Sequence, residues 1–284
     1  MKHLDSSQKK LLLPLVGLTV LGLIGGFVRY LHLTKAFDAL GLAIRGNLYG
    51  PVLTALSVIV LLGLGAAFIA VRFKKTGLCS AAIGTAPKMT LIPATIGTIV
   101  AMLAAIKMLA DSVDSFSAWG IICGLLFLIA AAVTLPVLRK LSAKPSADSS
   151  IGSASLLIVF WASFRLIEIY REVSANPAIG IYLCDVMGMI AMILMFFACS
   201  GSLLGKIPAH RLYLMTAACL FFGTVALVGK GLVCVNAVLT PAVLSGADLL
   251  DACIYFYGFT CAISIAATFF FPAAKESAPA ETEQ

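Results

Sequence analysis

The chain has 284 residues, a mean hydropathy of +1.06 and only 12% charged residues, about half the charged share of an ordinary soluble domain. Its net charge of +7 is spread over the ends of apolar runs, which excludes the single basic patch of a nucleic-acid-binding domain. Those runs are apolar all round, which excludes a soluble bundle whose helices would each bury one apolar stripe.

The sequence predicts an all-α, polytopic membrane bundle of eight spans, at 11–30, 51–71, 90–110, 118–138, 151–170, 179–200, 211–233 and 249–272. Each is long enough to cross a hydrocarbon core about 30 Å thick. The first run follows Lys9 and Lys10 but is too long for a signal-peptide core and is closed by no small-x-small site. It reads as an uncleaved span. Gly22 and Gly26 stand in it at GxxxG spacing, as Gly120 and Gly124 do in the fourth run, a pattern that brings helices close within one chain. FVRYLHLTKAF, with Arg29 and Lys35, leaves the first span. The segment TKAFDALGLAIRGN then spaces Phe37, Leu40 and Ile44 for a short interfacial helix or a loop.

The third run ends AAIKMLADSV, where Lys107 has Asp111 four residues on as a same-face partner. Pro93 and Pro136 fall towards the ends of the third and fourth runs. KPSADSS, at Lys144–Ser150, is the best internal boundary. The fifth run passes directly into FRLIEIYREV, which places Arg165, Glu168, Arg171 and Glu172 at spacings that allow pairing along one helix. Asp185 lies about six residues into the sixth predicted span, and Lys230 lies in the seventh between Gly229 and Gly231. Asp248 and Asp251 open the eighth. The tail 273–284 is acidic, alanine-rich and expected to be disordered.

With the N-terminus inside, 13 basic residues fall on the cytoplasmic side and 7 outside. Both termini are therefore expected in the cytoplasm and the chain in the cell membrane. The whole chain, 1–284, reads as one membrane domain. Each odd span carries a basic residue near its outer end, Arg29 matching Arg165 and Lys107 matching Lys230, which suggests repeat halves 1–145 and 146–272 of like orientation.

The candidate site follows from these charges. Arg29, Lys107, Arg165 and Lys230 are expected to ring an outward-facing cavity, partly neutralised by Glu168, Asp185, Asp248 and Asp251. The competing reading for each is a snorkelling side chain or a local ion pair. Asp185 is too short to snorkel, and Lys230 has no acid three or four residues away, so both call for partners on other helices. The eight cysteines contain no Cys-x-x-Cys pair and behave as small apolar residues. No mid-span histidine, His-Glu-x-x-His, Gly-x-Ser-x-Gly or Walker motif is present, so no metal or cofactor is expected and enzymatic activity is disfavoured. The expected function is binding of a small anionic solute, as a transporter or sensor-like component in the lipid bilayer. Asp185 is then a candidate coupling proton site. The alternatives are an anchor or scaffold for a partner subunit and, behind it, an intramembrane enzyme acting on lipid or quinone.

Overall fold

The computed structural model describes residues 6–36, 44, 46–72, 87–143, 149–174, 183–239 and 246–270. The linker core Lys144–Asp148, most of the expected interfacial segment and the tail 273–284 lie outside the described residues. Among those described there are eight long α-helices and no strand. They are α1 (Ser6–Lys35), α2 (Tyr49–Arg72), α3 (Ile92–Asp114), α4 (Ala118–Ser142), α5 (Ser149–Ser174), α6 (Leu183–Leu203), α7 (Ala209–Leu239) and α8 (Gly246–Thr268). All eight are long and apolar enough to span a membrane. A helix satisfies its backbone internally, which is what a segment in hydrocarbon requires.

Local sequence sets several ends. Ser117 caps α4, its hydroxyl accepting from the Gly120 amide at 3.2 Å. Pro93 falls in the first turn of α3, where no intrahelical hydrogen bond is lost. Gly205 takes φ +69° in the turn from α6 to α7, a conformation that side chains other than glycine resist.

Helices α3 to α8 form a closed ring, each packed on the next and α8 returning to α3. The ring is filled with aromatic side chains. Phe127 of α4 stacks on Trp161 of α5 at 4.0 Å between centroids, and Tyr257 of α8 meets both rings edge-on. Phe196 of α6 stacks on Tyr257, whose hydroxyl shares a 2.6 Å hydrogen bond with Thr134 of α4.

Helix α1 packs on the outside of this ring along α7, and α2 is joined mainly to α1. Small residues carry the α1–α7 contact. A Cβ on Gly22 would stand 2.9 Å from Thr224 Cβ, and one on Gly26 would stand 2.5 Å from Val228 Cβ. Gly124 accepts Leu109 of α3 in the same way. Both GxxxG pairs therefore serve packing within the chain. Helix α5 packs on α6 more extensively than α1 packs on α2. Apolar side chains such as Leu13, Ile59, Leu62, Leu103 and Phe160 cover the outer surface, as lipid contact requires.

Candidate functional site: an ion-pair network at one end of the bundle

The face of α1 that carries Gly22 and Gly26 continues one turn later to Arg29, at positions i, i+4 and i+7. Close approach of α1 to α7 thus aims Arg29 into the bundle. Its side chain crosses Gly229 of α7, where a Cβ would meet Arg29 Cδ at 2.5 Å. It ends against Asp185 of α6, with Arg29 Nη2 2.7 Å from Asp185 Oδ2. The two side chains are only 1% and 2% exposed.

A second group is built on α5, α7 and α8. Arg165 forks between Glu168, one turn on in its own helix, and Asp251 of α8, the latter at 2.6 Å. Asp251 also lies 3.3 Å from Lys230 Nζ, and Lys230 donates to Asp248 at 2.6 Å. The groups communicate. Lys230 is close enough to feel the charge of Asp185, and the Tyr255 ring lies within the fields of Asp185, Asp251, Arg29 and Arg165. The Tyr255 hydroxyl donates to the Asp185 carbonyl oxygen at 3.2 Å. Cys184 borders Arg29, and Cys123 of α4 borders Glu168.

Helix direction favours this arrangement. Asp185 and Asp248 each stand in the first turn of their helices. A carboxylate there gains about 0.3–1 kcal/mol from the helix dipole. The three cations lie towards the C-terminal ends of α1, α5 and α7, which share that end of the bundle.

Seven of the eight residues singled out in the sequence are therefore brought together. Lys107 is the exception. It stands exposed on α3 and pairs at 2.6 Å with exposed Asp111. The expected ring of four cations is thus three, because Lys107 belongs to the local pair that its spacing already allowed. Nor are these cations open to a cavity, since each contacts at least one carboxylate. Three cations face four carboxylates, a formal charge of −1 if all are ionised. Asp185 also sits less deep in its helix than the sequence suggested, because α6 opens at Leu183. Its burial comes from packing of α1, α7 and α8 around it.

The rest of FRLIEIYREV has its own place. Arg171 lies over the Trp119 ring at 5.7 Å, and Trp119 stacks on Phe164. The Glu172 side chain lies outside the described residues. Sequence reasoning missed Tyr255, although it follows Asp251 by four residues and so shares its face.

The Arg29–Asp185 pair is held by its 2.7 Å charge contact, and beyond that contact Arg29 Nε and Nη1 and Asp185 Oδ1 are buried without a further partner. Buried polar atoms are nearly always partnered, so this site retains unused donors and acceptors. Among the described residues no group of His, Cys, Asp or Glu could hold a metal ion. No family model, no curated protein and no solved structure matches the chain.

Proposed function

We propose that this multi-pass protein binds a small anionic solute at the interhelical charge network, acting as a transporter or solute sensor. The observation that carries the reading is the Arg29–Asp185 pair, fully buried yet with unused hydrogen-bonding capacity on both partners. Ionisable groups held inside a membrane bundle are costly, and their usual return is function rather than stability.

The pairing suggests exchange rather than simple capture. Each cation is already held by an internal carboxylate, so an anion must displace one. The excess of basic residues in the loops at the opposite end favours an outer-side position for the network in the cell membrane, with both termini in the cytoplasm.

Native mass spectrometry of the gently extracted protein tests this. A panel of small carboxylates and inorganic phosphate would be offered. A bound increment of small-molecule size, lost in Lys230→Met and in Arg29→Met, is expected. Binding unchanged in both variants sinks the reading. The second reading is a membrane anchor. It is favoured by α2, which is largely exposed and attached to the bundle chiefly through α1. A stoichiometric protein partner in the same spectrum would support it.

A further inference from the structure

At the end of the bundle opposite the charge network, α3 begins, α4 ends and α5 begins side by side. Between them lies a groove of about 580 Å³. Its wall is almost wholly apolar, with Leu91 from the 3₁₀ turn Lys88–Leu91 before α3, Leu135 and Ala143 at the end of α4, and Ile151 in the first turn of α5. Two cations border it, Arg139 and Lys140, both in the last turn of α4. Two other grooves, one between α1, α7 and α8 and one between α1, α2 and α7, are lined by no charged residue.

We propose that this groove is a binding site for one anionic phospholipid. The phosphate would lie on Arg139 and Lys140, and the start of an acyl chain would run along Leu91, Leu135 and Ile151. Three observations converge on a lipid. The groove sits at a helix end, at the depth of the headgroups if the helices span. Its cations are at one rim, where a charged head would lie, and its wall is apolar, where a chain would lie. Basic pockets between transmembrane helices select anionic headgroups in this manner. The site is at the far end from the solute network and stands independently of the solute reading.

Native mass spectrometry in a mild detergent, with phosphatidylglycerol and phosphatidylcholine at equal concentration, tests it. Phosphatidylglycerol should be retained in preference. Each cation near an anionic headgroup contributes about five-fold, so Arg139→Gln with Lys140→Gln should lower that preference roughly 25-fold. Leu135→Trp, which fills the wall and leaves both cations in place, should lower retention of either lipid. A control pair, Lys35→Gln with Lys206→Gln, removes equal charge elsewhere and should leave the preference intact. The proposal is overturned by an unchanged preference in the Arg139/Lys140 variant, or by an equal loss in the control. It is also overturned if inorganic phosphate alone, at the lipid's concentration, displaces phosphatidylglycerol, because the groove would then be an ion site.

Discussion

Arg29 reaches Asp185 only by lying across Gly229, whose missing side chain is the space that the arginine stem occupies. A Cβ there would meet Arg29 Cδ at 2.5 Å and Cγ at 2.8 Å, whereas one on Gly231 would meet nothing within 4 Å. Gly229→Ala should therefore displace the arginine and destabilise the protein by about 1–3 kcal/mol, the usual range for overpacking. Gly231→Ala should stabilise by up to about 1 kcal/mol, since alanine is the better helix former. Thermal unfolding in one detergent compares the two. Shifts of the same sign would mean that Arg29 does not take this route.

The Arg29–Asp185 pair is buried on both sides, so loss of one partner leaves the other charge stranded. Arg29→Met or Asp185→Leu alone should cost about 3–5 kcal/mol. The double variant should recover most of that, because apolar replacement of a whole buried pair is often close to neutral. A double-mutant cycle by thermal unfolding reads the coupling. Simple additivity would show that the two groups do not interact in the folded protein.

Asp251 bridges two cations, Arg165 at 2.6 Å and Lys230 at 3.3 Å. Asp251→Asn should weaken the hold on both and cost more than Asp248→Asn, whose carboxylate is 31% exposed against 14% for Asp251. Lys107→Gln breaks an exposed pair worth about 0.2–1 kcal/mol at most and should leave solute binding unchanged. If Lys107→Gln lowered solute binding as much as Lys230→Met, the site would lie elsewhere.

The spans and their order were legible because an apolar run of sufficient length has few other structures open to it. The charged residues of the site were legible for the related reason that ionisable groups in such runs need partners. Their pairing was not. Arg29 lies 156 positions from Asp185, and no local spacing encodes a contact made through close packing of α1 on α7. Lys107 was misplaced because a basic residue at an odd span's end looks the same in sequence whether it faces lipid or core. Only Asp111, four residues on, hinted at the local pair that forms. The groove at Arg139 was hidden because the walls of that site come from three helices and its cations read as ordinary positive-inside charges.

The end of the bundle that faces out is open to cysteine labelling. Phe116 is almost fully exposed in the turn from α3 to α4, at the network end, and Lys206 is exposed in the turn from α6 to α7, at the other. The described native cysteines are poor competitors for labelling, since all are buried except Cys253, which is partly so. If the basic loops are cytoplasmic, Phe116→Cys should react with a membrane-impermeant maleimide in intact cells. Lys206→Cys should react only after the membrane is opened. The opposite pattern would turn the charge network to the cytoplasm. A transporter would then take its solute from inside, and the Arg139 groove would meet the outer leaflet, where anionic lipid is scarce in many membranes.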